Sequence, residues 1–178
     1  MKITTGRLRI RPFLSTDINL TYLSWLNDQE VTRFSNQRFI DHSHETSMAY
    51  LETFSGTPNS FLLLEDSLHS KPIGTATIYR SLQHGTADIG LLIGERSYWG
   101  NGYGKEAWIA ILNHLSSDIS IRKVTGGTLR PNNAMIRIMQ QSGMVPDGTR
   151  IAHELIDGFP VDLLYFAHFS GMSTTAHA

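Results

Sequence analysis

The first third of the chain changes from a strand-like to a helix-like pattern of apolar residues. Residues 8–11 alternate apolar and basic side chains, the period of a half-buried strand, and Pro12 ends the run. Two stripes at roughly helical spacing follow capping signals at Ser15 and Ser43: Leu20, Leu23 and Leu26, then Met48, Leu51 and Phe54. We therefore predict a strand followed by helices, with a short helical piece over 30–34 and a loop over 35–41.

The middle of the chain predicts three adjacent strands joined by short connections. Short apolar and β-branched runs cover 61–64, 72–79 and 87–93, and His84-Gly85 supplies a turn before the last run. Such spacing favours an antiparallel meander. After a glycine-rich segment, a helix is indicated by apolar residues that share one face: Ala107, Ile111, Leu112 and Leu115.

The last third of the chain predicts one strand, one helix and a hairpin. The strand covers 124–129, and the helix covers 132–141 and ends toward Gly143. Two further strands, near 149–156 and 161–169, flank the favoured hairpin turn Asp157-Gly158. We assign residues 1–169 to a single domain and expect the small, polar segment 170–178 to be a disordered tail.

Composition and charge narrow the classes of function. The 178 residues are 40% hydrophobic and 17% charged, as in one globular domain. Fifteen basic and sixteen acidic residues leave a net charge of −1, which excludes a strong attraction to nucleic acid or to an anionic membrane. The absence of cysteine excludes disulfides, thiolate zinc sites and a cysteine nucleophile. Because no signal segment or bilayer-length apolar run is visible, we expect a cytoplasmic protein.

The glycine-rich segment between the third meander strand and its helix predicts a binding site for a phosphate group. Glycines at 100, 102 and 104 leave the backbone bare, and the N–H groups of a helix's first turn have no partners within the helix. The dinucleotide fingerprint fails because Lys105 stands at its third glycine, and the P-loop pattern fails because Glu106 follows Gly104-Lys105. The alternative is a turn that only joins strand to helix. Eight scattered histidines lack ligand spacing, so we expect no metal site.

Three stretches in their order along the chain resemble the GNAT superfamily of acetyl-CoA-dependent N-acetyltransferases. They are Gly6–Pro12 followed by Asp17, the loop Trp99–Gly104, and the helix and turn Asn132–Met144. The first stretch is similar to the branch that includes the ribosomal-protein N-terminal acetyltransferases. The resemblance implies an α/β (α+β) GNAT fold, in which helices flank a mixed, mostly antiparallel central sheet.

The resemblance also implies direct transfer of acetyl from acetyl-CoA to a primary amine, either a small molecule such as an amino sugar or a protein N-terminus. It assigns the pyrophosphate to the loop residues Trp99, Gly100, Asn101, Gly102, Tyr103, Gly104 and Lys105. Backbone N–H groups of Leu92 and Ile93 would hold the oxyanion. Asn132 would contact CoA or cap its helix, or both.

Transfer to an amine requires a base more than an acid. An alkylamine has a pKa of about 10.4 and a thiol one of about 8.5, so the thiol leaves readily while the ammonium must first lose a proton. Our candidate base is Asp88, with Glu95 second, and both are also explained as ordinary surface carboxylates. Met135 stands where members of this family often carry a serine. Met139 stands where many carry a tyrosine that protonates the departing thiolate. A non-catalytic CoA-binding sensor is therefore the alternative.

The resemblance places the acceptor pocket in the segment from Trp25 to Arg38. Candidate contacts are Trp25, Asn27, Arg33 and Asn36, for which core packing or solvated surface positions are the alternatives. The expected partner is a small-molecule amine or a peptide N-terminus. The oligomeric state stays open, with a homodimer among the alternatives.

Overall fold

The computed structural model describes residues 1–170, so the predicted tail lies outside the described residues except for Ser170. The strands are β1 Ile3–Thr4, β2 Leu8–Pro12, β3 Ser60–Asp66, β4 Lys71–Ser81, β5 Thr86–Ile93, β6 Lys123–Leu129, β7 Val145–Ile156 and β8 Phe159–Phe169. The helices are α1 Leu20–Leu26, α2 Gln29–Thr32, α3 His44–Glu52, α4 Tyr103–Ser116 and α5 Asn133–Gln141. Short 3-10 turns cover Ser15–Asp17, Asn36–Phe39 and Arg96–Tyr98.

One mixed sheet contains all of these strands, in the order β1-β2-β3-β4-β5-β6-β8-β7. Its neighbours pair antiparallel except for β5 and β6, which confirms the predicted mixed, mostly antiparallel sheet. The parallel pairing of β5 with β6 covers only three residue pairs, from Thr86 with Lys123 to Asp88 with Thr125. Beyond Asp88, β5 therefore continues with β4 on one side, and on its other side no strand within residues 1–170 pairs with it.

Two apolar clusters lie on opposite faces of the sheet. The larger packs α4 and α5 against the sheet around Trp108, which is buried, and it includes Ile89 of β5. The smaller lies under the N-terminal helices and includes Tyr22 and Phe61, with Leu92 of β5 packed against it. Because side chains alternate along a strand, β5 contributes to both clusters. The strand is thereby packed on both faces even where β6 no longer pairs with it.

The predicted apolar stripe of the first helix is confirmed at Leu26, which is buried, and at Leu23, which packs against the smaller cluster, but it is wrong at Leu20. Asn19 caps α1 by accepting from the Tyr22 N–H at 3.1 Å, and Ser15 belongs to the preceding 3-10 turn. As a result Leu20 is the first helical residue and is 86% exposed. The buried residues of α1 are Tyr22, Trp25 and Leu26. The large aromatic side chains that flank the leucines make up most of the packed face because they bury the most apolar area.

Two other elements differ from their predictions. Strand β7 begins at Val145, four residues earlier than expected, because a hairpin ladder with β8 extends that far and tolerates irregular register near Pro146. The segment predicted as a loop contains a 3-10 turn, capped by the Ser35 hydroxyl. The predicted cap of α3 is confirmed, since the Ser43 hydroxyl accepts from the Thr46 N–H at 3.2 Å.

Candidate active site

The side of β5 that faces away from β4 presents free backbone groups beyond the short pairing with β6. The N–H of Gly94 donates to the carbonyl oxygen of Ile73 at 2.9 Å, toward β4. Backbone groups of an antiparallel pair point inward and outward at alternate residues, and the register of β4 with β5 is regular. Leu92 therefore points its N–H toward β4, whereas Leu91 and Ile93 point theirs to the open side.

The indole of Trp99 reaches the end of this open edge. Its Nε1–H donates to the carbonyl oxygen of Ile93 at 2.7 Å, which agrees with an outward orientation of Ile93. The guanidinium of Arg96 lies 5.6 Å from the centroid of the indole ring. Trp99 thus connects the edge of β5 with the loop before α4.

Helix α4 begins in a loop whose backbone N–H groups have no protein acceptor. Gly102 is the N-cap, with a φ of +82° that only glycine adopts without strain. Within residues 1–170, none of the N–H groups from Gly100 to Lys105 donates to a backbone or side-chain acceptor. The first bond into the helix runs from the Glu106 N–H to the Gly102 carbonyl at 3.0 Å. Such a run at the positive end of a helix dipole favours an anion.

Arg7 and Glu106 attach this loop to the start of β2. The Glu106 carboxylate accepts from the side chain and the backbone N–H of Arg7, at 2.7 and 3.0 Å, and from the Thr5 hydroxyl. Arg7 also donates to the Asn101 carbonyl at 3.0 Å and stacks 4.2 Å from the Tyr103 ring centroid. Burial tends to raise the pKa of the Glu106 carboxyl group, but the hydrogen bonds from Thr5 and Arg7 outweigh burial and lower this pKa. Arg7 therefore neutralises a carboxylate in the first turn of α4.

Asp88 lies at the point where β5 and β6 stop pairing. Its Oδ2 accepts from the Thr125 hydroxyl at 2.6 Å. Its cross-strand partner is Tyr79, whose hydroxyl lies 2.9 Å from that of Tyr50. Burial raises the pKa of Asp88, and the bond from Thr125 partly opposes this. A carboxyl group with a raised pKa is better matched to proton transfer near neutral pH than an ordinary aspartate.

A cavity of about 400 Å³ lies on the face of the sheet that carries α1 and α3. Its floor is formed by backbone and side chains of β4 and β5, among them Thr77, Gly90 and Leu92. Aromatic side chains from the smaller core cluster, including Tyr22 and Phe61, form part of the wall. Because residues two apart on a strand share a face, Asp88 lies on the same face as the two β5 residues of the floor.

Segment 35–42 forms another part of the cavity wall and is fixed at both ends. Asn27 brackets the backbone of His42, donating to its carbonyl at 2.9 Å and accepting from its N–H at 3.0 Å. The guanidinium of Arg38 donates to the carbonyl oxygens of Ser35, at 2.7 Å, and of Leu155 on β7, at 2.9 Å. Asn27, one of the predicted acceptor contacts, therefore shapes the wall and is not itself part of it.

The other predicted acceptor residues do not line the cavity. Trp25 is 5% exposed and packs so closely on Gly94 that a Cβ there would lie 2.2 Å from its ring. Arg33 and Asn36 are exposed on the surface of the same region. The helical period of α1 placed Trp25 correctly on the packed face, but that face points into the core.

The remaining predicted residues occupy ordinary structural positions. Asn132 caps α5 by accepting from the Met135 N–H at 3.2 Å, which confirms the capping alternative. Met139 is fully buried in the larger core cluster. Lys71, at 2.9 Å, and the Ser97 hydroxyl, also at 2.9 Å, lower the pKa of Glu95. Glu95 is therefore less suited than Asp88 to accept a proton.

Sequence reasoning missed four contributors to this region: Arg7, Ser47, Tyr50 and Leu91. Arg7 lies in one of the stretches that carried the resemblance, but nothing in the sequence showed that it reaches residue 106. Tyr50 and Ser47 lie on α3 next to the apolar stripe, four residues before Phe54 and Leu51, and the stripe drew attention only to its own members. Met48 of that stripe is 36% exposed.

Two negative findings apply to residues 1–170. Nowhere in this range do three histidine, aspartate or glutamate side chains converge as a metal site requires. None of the helices in the range combines the length and the apolar character of a transmembrane span.

Comparison with known proteins identifies the family. A sequence model of the acetyltransferase (GNAT) domain matches residues 7–145. The chain belongs to the GNAT acetyltransferase family. A search of curated protein sequences finds no match. The resemblance expected from the three stretches is thus confirmed, and the open edge of β5 and the loop before α4 lie within the matched residues.

Solved structures share the GNAT fold over nearly the whole chain. A GNAT-family acetyltransferase from Bacillus anthracis is 19% identical, with a TM-score of 0.80 over 97% of this chain and 100% of its own. Spermidine N-acetyltransferase from Vibrio cholerae, in complex with CoA and spermine, is 14% identical with a TM-score of 0.83, covering 93% and 97%. RimL, a ribosomal L7/L12 α-N-protein acetyltransferase solved with coenzyme A, is 17% identical with a TM-score of 0.80, covering 95% and 98%.

Proposed function

We propose that this GNAT protein is an N-acetyltransferase that moves acetyl directly from acetyl-CoA to a primary amine. The observation that carries the proposal is the run of free N–H groups from Gly100 to Lys105 beside the open edge of β5. The loop offers donors and dipole charge for a pyrophosphate, and the edge offers donors and acceptors for an extended amide chain. Two solved structures of the same fold contain CoA, which supports the pyrophosphate of CoA as the anion that the loop binds.

The acetyl group would lie against the outward N–H groups of β5. Of the two residues expected from sequence, Ile93 has its N–H on the open side, whereas Leu92 points toward β4 and Leu91 takes its place. These donors are fixed in a strand, so they stabilise a developing negative charge on the acetyl oxygen without reorganisation. We therefore assign this task to Leu91 and Ile93.

Asp88 would remove a proton from the acceptor's ammonium group, directly or through water. The freed nitrogen pair bonds to the acetyl carbon while the carbon–sulfur bond breaks and its electron pair leaves on sulfur. A second proton, released as the amide forms, is taken up by the departing thiolate. Because the thiol's ordinary pKa of about 8.5 makes it a fair leaving group, the absence of a hydroxyl at Met135 and Met139 does not prevent the reaction.

Those two methionines favour a second candidate, a domain that binds CoA as a sensor without catalysis. Both side chains pack with the larger core cluster and offer no proton donor. Thiol release from acetyl-CoA, measured with amines, amino sugars and peptide N-termini, separates the candidates. Turnover of any one amine supports the transferase. Saturable CoA binding with no turnover across the whole panel supports the sensor.

Replacing Arg7 by glutamine should weaken binding of coenzyme A by roughly fivefold to tenfold, the size of a partly exposed charge effect near a helix terminus. The change leaves the Glu106 carboxylate uncompensated in the first turn of α4, where it repels a pyrophosphate. Isothermal titration calorimetry with coenzyme A measures the change in Kd.

Arg9 provides the matched control, because it lies only two residues further along, on β2, but pairs with Glu65 at 2.7 Å. Arg9→Gln should leave the Kd within about twofold. The double variant Arg7→Gln with Glu106→Gln should recover much of the lost affinity. Equal affinities for Arg7→Gln and the unchanged protein would contradict the charge argument.

A further inference from the structure

The cavity whose floor includes Gly90, two residues beyond Asp88 on the same face of β5, has in the described part of the chain a wall without carboxylate, ammonium or guanidinium groups. Within residues 1–170 its lining contains aromatic, aliphatic and hydroxyl side chains, one amide and one histidine, and no aspartate, glutamate, lysine or arginine. An ammonium group that enters next to Asp88 meets a carboxylate, but a second ammonium deeper in the cavity would lose its hydration without an opposite charge. Burial of an unpaired charge is strongly unfavourable.

Within residues 1–170, one fully buried hydroxyl in this wall makes no hydrogen bond. Ser47 on α3 lines the cavity and is 3% exposed, and its Oγ makes no hydrogen bond within the described residues. Buried hydroxyl groups in folded proteins are nearly always hydrogen-bonded. The Oγ has no accessible surface, so a rotation of the Ser47 side chain about χ1 must first bring it to the cavity, where a hydroxyl or carbonyl group of a ligand would supply the missing partner. The neighbouring wall residues Tyr22, Tyr50 and Phe61 offer flat apolar surfaces for the rest of such a ligand.

We infer that the acceptor is a monoamine with a compact, mostly apolar body that carries one neutral hydrogen-bonding group, and that Ser47 recognises this group. The inference rests on the proposed acetyl transfer and narrows it. A cavity of about 400 Å³ suits a body of one ring or a short chain. Polyamines do not fit because their additional ammonium groups would meet no opposite charge in the wall, and a peptide N-terminus does not fit because its chain is neither compact nor mostly apolar.

Matched pairs of amines test the charge argument. Thiol release at saturating acetyl-CoA is measured for pentylamine and cadaverine, which differ in one terminal ammonium, and for phenethylamine, spermidine and a tripeptide with an N-terminal serine. We expect kcat/KM for pentylamine and phenethylamine to exceed that for cadaverine and spermidine by about 30-fold or more. The tripeptide should be as poor as the diamines.

The outcomes separate the inference from the proposed function. If cadaverine, spermidine or the tripeptide is acetylated as well as the monoamines, the inference is overturned while the transferase stands. If no amine is acetylated, although coenzyme A binds saturably, both the inference and the transferase are overturned.

Tyramine and phenethylamine, which differ by one hydroxyl group, test the role of Ser47. Ser47→Ala should raise KM for tyramine about fivefold to tenfold, leave KM for phenethylamine within about twofold, and not alter KM for acetyl-CoA. Ser24→Ala, an exposed serine on α1 outside the cavity wall, is the matched control and should change none of these values. Equal effects of Ser47→Ala on both amines would contradict recognition by this hydroxyl.

Discussion

Replacing Asp88 by asparagine is expected to lower kcat/KM for amine acetylation about 100-fold near neutral pH, the ordinary contribution of a general base. The amide keeps the shape and burial of the carboxyl group but cannot accept the proton of the ammonium. Because burial raises the pKa of Asp88, the acid limb of kcat/KM should lie above the range of an exposed aspartate. Initial rates across pH, with one monoamine and saturating acetyl-CoA, measure both effects.

The pH dependence gives this prediction a definite sign. Below its raised pKa, Asp88 is protonated and inactive as a base, so both proteins are slow there. As the pH approaches the amine's own pKa of about 10.4, more of the acceptor is already deprotonated. The difference in kcat/KM between the unchanged protein and Asp88→Asn should therefore shrink. An unchanged pH profile in the variant would remove Asp88 from the role.

Stability provides the control for folding. The raised pKa means that the protonated side chain is favoured by the fold, and this contribution is present at low pH and lost as the pH rises through the raised value. Asp88→Asn, which is always neutral, should therefore be at least as stable as the unchanged protein near neutral pH. Asp147→Asn, which removes an exposed carboxylate paired with Lys123 on the same sheet, should leave kcat/KM within about twofold.

Gly102→Ala is expected to weaken coenzyme A binding about tenfold or more. Gly102 has a φ of +82° at the N-cap of α4, in the middle of the run of free N–H groups. Alanine at this φ is strained by about 1–2 kcal/mol, and relaxing the strain turns the loop amides away from a common ligand. The added Cβ meets only the flexible end of Arg7, at 3.5 Å, so the fold itself can accommodate it.

Gly143 provides a control with the same backbone strain. Its φ is +81°, and a Cβ there meets no atom within 4 Å, but it follows α5 and lies outside the loop before α4. Gly102→Ala and Gly143→Ala should lose similar unfolding free energy in urea, about 1 kcal/mol each, while only Gly102→Ala loses affinity in calorimetry. Equal affinity of both variants for coenzyme A would remove this loop from the binding site.

The acceptor region shows where sequence patterns stop being informative. Trp25 and the leucines of α1 were visible as an apolar stripe, but the choice between core and cavity wall depends on what packs above them. Gly94, which follows β5 and is far from Trp25 in the chain, covers the Trp25 ring. Tyr22 is not covered in this way and lines the cavity. Ser47 gave no signal at all, because an unpartnered hydroxyl becomes visible only when its burial and its neighbours are known.

The sequence by itself determined the order of the elements, the loop before α4 and Asp88 as the candidate base, because alternation, capping residues and glycines act over a few neighbouring positions. The tertiary structure alone decided that β5 separates from β6 beyond Asp88, that Leu91 and Ile93 face the open side, and that Arg7 reaches Glu106. These features depend on strand register and on contacts between residues far apart in the chain. No local period encodes such contacts, because they form only when the whole sheet and its two cores are assembled.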